Sequence, residues 1–278
     1  MKFCFRVILC ILLATAATTY SQSKILQVGE ELVYTVSFGF IKLGEVKFNL
    51  NSTFYENNKK YFTAKAEMKS YEGIPFLSVR YIFESVMREE KGKILSEKFH
   101  SSEFKDDNSG ERVIIRTDYE FDYSSDNDTG FIRVKRYKDN GRDKILEVDK
   151  TELFEKGMEF QDGLSIVYFA RINSYKKDRS KKVNIYINEK QSFIAYSFNY
   201  NRDAVSIDLV DYDMAAIKID GKADFIGVLG LTGEFEGWLS DDDERIPLKA
   251  RFNIILGSVT LELTSYKRTG WKPPKFNE

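Results

Sequence analysis

His100 is the only histidine in the 278-residue chain, so a Ser-His-Asp hydrolase would have to use it as the base. It stands in Lys98-Phe99-His100-Ser101-Ser102, within an alternating pattern and not at a turn that displays a nucleophile. No G-x-S-x-G occurs, since Gly163-Leu164-Ser165 lacks the second glycine. A His-dependent hydrolase is therefore not expected, and His100 reads as a surface or core-edge residue. Zinc is disfavoured too, because one histidine without mature cysteines leaves only carboxylates. Asp126-Asn127-Asp128-Thr129-Gly130 and Asp241-Asp242-Asp243-Glu244 offer hard oxygens for calcium, but neither completes a twelve-residue loop. Both read first as solvated hairpin tips, and no metal or other cofactor is expected. A pair of facing carboxylates could hydrolyse a glycan, which 43 acidic residues neither support nor refuse.

Arg171 has the most telling position. It falls at helical spacing with Leu164, Val167 and Tyr168, on an apolar face. A guanidinium there pairs with a buried carboxylate or meets an anionic head group, and the internal pair is the first expectation. If a ligand is met, Tyr168 and Trp238 are the aromatic companions to test beside Arg171.

The elements that position these residues follow from export and from period-two patterning. Residues 1–23 read as a signal peptide: Lys2 and Arg6 are followed by an apolar run, Val7 to Ala17, and then by small residues. Both cysteines, Cys4 and Cys10, lie inside it. Cys10 sits mid-run and not after a small residue at the end of the run, so a lipoprotein is not expected. Without Lys2 and Arg6, 40 of the 42 basic residues remain against 43 acidic ones. Such a balance gives no field for nucleic acid. The longest later apolar run, Phe225 to Leu231, is too short to cross a bilayer as a helix.

Residues 24–278 read as a single β-rich domain, with room for two lobes meeting near 150–182. Val113, Ile115, Thr117, Tyr119 and Phe121 alternate with polar residues, as do Phe62, Ala64, Ala66 and Met68; the same holds for Val205, Ile207 and Leu209, and for Val259, Leu261 and Leu263. Polar breaks at Asn57-Asn58, Lys91-Gly92, Asn108-Ser109-Gly110, Asp128-Thr129-Gly130, Asn140-Gly141 and Asp220-Gly221 suit hairpin turns. The expectation is an all-β, mainly antiparallel fold of about 14 strands. Strands so long and so numerous must curl into an open barrel or a clamp. Asp162–Ser174 breaks the pattern and predicts one short helix near 162–174, capped by Asp162 and pressed into the concave side. The charged stretch Lys176–Lys182 reads as a solvated loop leaving it.

Three stretches then resemble an exported bacterial family, domain of unknown function 3108. They are Gly29-Glu30-Glu31-Leu32-Val33-Tyr34 with Phe38-Gly39-Phe40-Ile41-Lys42-Leu43-Gly44, then Gln161-Asp162-Gly163-Leu164-Ser165, then Trp238-Leu239-Ser240 through Pro247 with Leu256-Gly257-Ser258. The resemblance implies an exported, β-rich envelope protein and supplies no activity or catalytic residue. The functional expectation is a periplasmic or cell-envelope protein that binds or carries an amphiphile or glycan without covalent chemistry. The first alternative is a structural or assembly factor contacting another envelope protein. The second is a carboxylate-dependent glycan hydrolase.

Overall fold

The computed structural model describes residues 24–75, 77–107, 109–124, 129–174, 180–227, 232–254 and 257–277. Fifteen strands form one sheet. The first eight are β1 (Glu31–Phe38), β2 (Ile41–Glu56), β3 (Lys59–Ser70), β4 (Arg80–Glu90), β5 (Lys93–Asp106), β6 (Arg112–Asp122), β7 (Thr129–Asp139) and β8 (Lys144–Glu155). Then come β9 (Phe160–Gln161), the helix α1 (Ser165–Asn173), β10 (Ser180–Ile187), β11 (Lys190–Val205), β12 (Met214–Ala223), β13 (Gly233–Ser240), β14 (Pro247–Ile254) and β15 (Gly257–Lys267).

Their spatial order runs from β8 back to β1, crosses to β15, and runs back to β9. Every neighbouring pair is antiparallel except β9 with β10. Two meanders are thus joined where the first strand meets the last, from Glu31 opposite Lys267 to Phe38 opposite Val259. The sheet curls but does not close, with β8 and β9 as its two ends. Side chains bridge the seam instead: Lys150 on β8 donates to the Glu189 carbonyl at 2.7 Å, and Gln191 on β11 donates to the Leu153 carbonyl at 3.2 Å. This is the open barrel that the long alternating strands required.

Local chemistry explains the turns. Asn57 and Asn58 have φ of 47° and 59°, and Lys91-Gly92 has 49° and 75°; two left-handed residues in succession match the twist of a two-residue hairpin. Asn188-Glu189 does the same, with no glycine to announce it. Three expectations are corrected. Thr129 and Gly130 are not turn residues but the first of β7, paired with Glu155 and Phe154 of β8. Asp220-Gly221 is no turn: Gly221 lies within β12 opposite Phe235, and a Cβ there would collide with that ring. Val205–Leu209 is not a strand either. β11 stops at Val205, and Ile207 is buried as a loop residue in a second apolar cluster with Leu32, Met214 and Trp271. The Phe38–Gly44 glycines differ in purpose. Gly39 needs its φ of 55°, whereas Gly44 lets β2 lie against the Lys69 carbonyl and the Ser70 Cα.

The helix lies inside the curl. At 1.5 Å per residue its nine residues span roughly 13 Å. Tyr168, Phe169 and Ile172 pack into the main apolar cluster with Leu50, Phe62, Met87, Phe121 and Phe160. The Lys176–Lys182 reading falls partly outside the described residues; Lys181 and Lys182 are in β10.

The C-terminal end of α1 is tied to the wall by buried charge. Arg171 is 1% exposed. Its Nη1 and Nη2 donate to the Glu30 carboxylate at 2.6 and 2.9 Å, Nε donates to the Arg245 carbonyl at 3.1 Å, and Nη2 also reaches the carbonyls of Glu244 and Ile25. Arg268, beyond β15, donates to the same carboxylate and to the Lys24 carbonyl. Burial alone would lower the Arg171 guanidinium, but the Glu30 charge and hydrogen bonds outweigh it and hold it above its ordinary value. Removing one partner from such a group leaves an uncompensated buried charge, at a cost of about 3–5 kcal/mol. Glu30→Ala is therefore expected to lower unfolding free energy in urea by about that amount. An effect within about 1 kcal/mol, the level of an exposed pair, would show that the cluster holds nothing.

Candidate functional site

A cavity of about 1180 Å³ opens beside α1. Val36, Val46, Phe48, Ala66, Phe83 and Phe99 form one wall, Ile194, Ile219, Phe235 and Leu261 another, and Leu164 just before the helix with Ile166, Val167 and Ala170 of α1 the floor. The arrangement follows from the two periodicities. Alternate strand residues face inward, and the helix presents to the cavity the residues that its Tyr168–Ile172 side does not bury in the wall. The lining also includes Asp107, Asn188, Glu189, Phe225 and Gly227, all from turns and loops at one rim of the sheet. That rim is the mouth.

Charged residues gather on one side of the mouth. Lys105 pairs with Glu103 at 3.2 Å, Lys138 with Asp107 at 3.0 Å, and Arg136 with Glu189 at 2.5 Å and Glu147 at 3.2 Å. Deeper in, Tyr119 lines the wall and accepts from the Glu189 amide at 3.0 Å; burial pushes its phenol up to about 12. The cavity is therefore apolar within and ionic along one edge of its opening.

The three residues singled out from sequence do not line this cavity. Tyr168 and Arg171 are together on α1, with the guanidinium 5.8 Å from the ring centroid, but both are buried in the wall. All three Arg171 nitrogens donate to protein oxygens, so the expected internal pair is the one found. Trp238 is on the opposite face of β13 from Leu239, a member of the main cluster. It donates to Asp203 at 3.0 Å and lies between Lys218 and Arg251. The lining residues carried no sequence signal beyond strand alternation, because a wall that faces a cavity alternates like a wall that faces a core.

Asp162 anchors the other end of the helix, though not quite as expected. The helix begins at Ser165, with Leu164 in the cap position and no bond from the Leu164 side chain. Asp162 acts from two residues further back: its Oδ1 accepts from the amides of Leu164 and Ser165 at 2.7 and 2.8 Å, and Ser165 Oγ accepts from the Asp162 amide at 2.8 Å. Oδ2 accepts from Ser85 of β4 at 2.6 Å and from Ser96 of β5. Asp162 thus pins α1 to the sheet wall opposite the Glu30 cluster.

Burial pushes the Asp162 carboxyl up, and the hydrogen bonds from Ser85, Ser96, Ser165 and Leu164 offset this only in part. An acid raised on folding binds more protons folded than unfolded, so stability falls as pH rises from about 3.9 to the raised folded value. Asp162→Asn keeps an acceptor for both amides and removes the charge. It is expected to flatten the pH dependence across that window, whereas Asp162→Ala leaves the amides unsatisfied and costs roughly 1–3 kcal/mol. Equal losses in thermal melts from pH 4 to 7 would contradict the assignment.

His100 is less isolated than its sequence position suggested. Its Nδ1 meets Asp118 Oδ1 at 2.5 Å and its Nε2 meets Ser102 Oγ at 3.0 Å. The strand register places His100 opposite Asp118, which no reading of β5 alone reveals. The order is that of a catalytic triad, but the setting is not. Phe99 and Ser101 face the cavity, so His100 and Ser102 point to the outer face of the curl. Ser102 is 5% exposed. Backbone amides of β5 lie in the sheet plane and serve the ladders to β4 and β6, leaving none aimed at an oxyanion above the face. A fluorophosphonate probe is expected to label the protein no more than it labels Ser102→Ala; labelling lost in that variant would reverse this.

The acidic stretch 241–244 is a structured turn. Asp242 accepts from Ser240 Oγ, the amides of Glu244 and Arg245, and Trp271 Nε1. Asp241 pairs with Arg202 and Arg245, and Asp243 with Lys24. Among the described residues no three His, Cys, Asp or Glu side chains are grouped to hold a metal; Asp126–Asp128 lie outside them. No helix among the described residues is long and apolar enough to cross a membrane.

The curled sheet with a helix across its interior defines a barrel-like β class. Residues 33–264 match the family described as Protein of unknown function (DUF3108), and the chain belongs to that family. The fold is similar to the crystal structure of a beta-barrel-like protein of domain of unknown function DUF1849 from Brucella abortus: TM-score 0.51, 10% identity, covering 86% of this chain and 97% of that one. A Bacteroides fragilis protein assigned as exported, with a YmcC-like fold, aligns over 87% of this chain and 97% of its own at 9% identity and TM-score 0.33. A Parabacteroides distasonis protein assigned as a lipoprotein aligns over 87% and 96% at 8% identity and TM-score 0.33. No curated protein matches the sequence.

Proposed function

We propose that this protein is exported to the periplasm or cell envelope, where it binds and carries an amphiphile without covalent chemistry. The observation that carries the reading is the cavity of about 1180 Å³ beside α1, apolar inside and ionic along one side of its mouth. Its volume lies somewhat above the usual range for small-molecule sites, roughly 300–1,000 Å³. An alkyl chain would lie between the helix face of Ile166 and Val167 and the aromatic wall of Phe48, Phe83 and Phe99. Its head group would meet Lys105, Arg136 and Lys138, whose ion pairs can exchange partners at little cost near solvent. A glycan fits less well, since the inner wall is mostly apolar, with hydroxyls from Tyr81, Ser101, Thr117, Tyr119 and Tyr196 as its polar groups. The signal-like segment 1–23 supports export, and the closed geometry around Ser102 supports a non-enzymatic role.

Native protein extracted with organic solvent is expected to release a discrete amphiphile in mass spectrometry. Purified protein is also expected to bind a fluorescent fatty acid in solution. Ala66→Trp, which places bulk into the cavity wall, is expected to weaken that binding about tenfold, equivalent to about 1.4 kcal/mol. Empty protein together with no probe binding would overturn the reading.

A further inference from the structure

The mouth of the cavity is also where the chain leaves apolar side chains without cover. Phe40, at the tip of the β1–β2 turn, is 97% exposed, and the adjacent Ile41 is 46% exposed. Ile226, in the loop between β12 and β13, is 61% exposed. Register places both at one rim: Phe38 lies opposite Val259 at the start of β15, Ile254 opposite Gly257, and Phe235 of β13 opposite Phe252 of β14. Ile226 follows Phe225, which lines the cavity and opens the longest apolar run outside the signal segment. Of the other exposed apolar residues, Val28 lies in the turn before β1 at the opposite rim and the rest are on strands. Phe54 stacks on Tyr61 within the β2–β3 pair, and Ile145, Leu146 and Leu153 lie along the edge strand β8.

We infer that this rim rests on a phospholipid bilayer, with Phe40, Ile41 and Ile226 inserted among the lipids around the open mouth. The inference rests on the carrier reading, because the cavity wall is continuous with the exposed tips. Two features favour lipid over a protein partner. The apolar side chains sit on separate turns, as wedges and not as one flat patch, which suits a fluid surface better than a complementary one. Lys42, exposed beside Phe40 and Ile41 with no ion pair among the described residues, is placed to meet lipid phosphate as aromatic and basic anchors do at interfaces. An amphiphile could then pass between bilayer and cavity without its tail crossing water.

The test is flotation with vesicles of phosphatidylethanolamine and phosphatidylglycerol. Full-length mature protein is expected to co-float, and the Phe40→Asp/Ile226→Asp double variant to bind at least tenfold more weakly with an unchanged melting temperature. Phe40→Trp should shift its emission to the blue on adding vesicles. Tyr55→Trp, near the opposite rim, should not. Failure of the wild type to float, equal binding by the double variant, or equal shifts at both tryptophans would overturn docking by the mouth. Fatty-acid binding in vesicle-free solution separates the two claims: if it persists while flotation fails, only the docking inference falls, and if it is absent and the native protein also releases no amphiphile, the carrier reading falls.

Discussion

The buried carboxylate of Glu30 holds together parts of the chain that are far apart in sequence. It precedes β1, receives Arg171 from the helix and Arg268 from beyond β15, and the same guanidinium groups reach carbonyls at Lys24, Ile25, Glu244 and Arg245. One charge thus joins the first strand, the last strand, the β13–β14 turn and the end of α1. A buried ionic cluster adds little net stability over apolar packing, but it tolerates few alternative arrangements because each donor needs its acceptor. Its effect is to set where the helix ends. Asp162 does the same at the other terminus through Ser85 and Ser96.

With both ends fixed, α1 acts as a strut across the interior. A nine-residue helix is too small to fill a curl of fifteen strands. Apolar packing is complete on the side of Tyr168, Phe169 and Ile172, where the main cluster closes, and incomplete on the side of Ile166, Val167 and Ala170. The cavity is the space that this asymmetry leaves. Protein interiors are normally packed to crystal-like density, and an apolar space of this size, open at one rim, is the observation on which the proposed carrier role rests. The seam between the two sheet ends, β8 and β9, is bridged by side chains reaching backbone carbonyls and not by a backbone ladder.

Alternation along β6, β3 and β15 was legible because period-two burial depends only on neighbours in sequence. The helix was legible from Leu164, Val167, Tyr168 and Arg171, although its start lay three residues later than expected. Asp220-Gly221 misled because glycine serves turns and close approaches alike; only the Phe235 ring across the strand pair distinguishes them. Ile207 misled because a loop that folds back onto apolar surface buries alternate residues as a strand does. The reading of Arg171 stopped short of Glu30, 141 residues away, and the His100–Asp118 contact depended on a register that pattern alone does not supply.

Residue order therefore determined that the chain is all-β, that its strands are long enough to curl, that one helix interrupts them, and that the interior is oily. These depend on local periodicity and on the free energy of burying apolar surface, both written in composition and spacing. Tertiary structure decided the rest: which carboxylate neutralises Arg171, that Trp238 faces away from the helix, and that the space beside α1 is open. Those outcomes depend on how two meanders meet at β1 and β15, and on a volume mismatch between sheet and helix. Neither quantity belongs to any single segment.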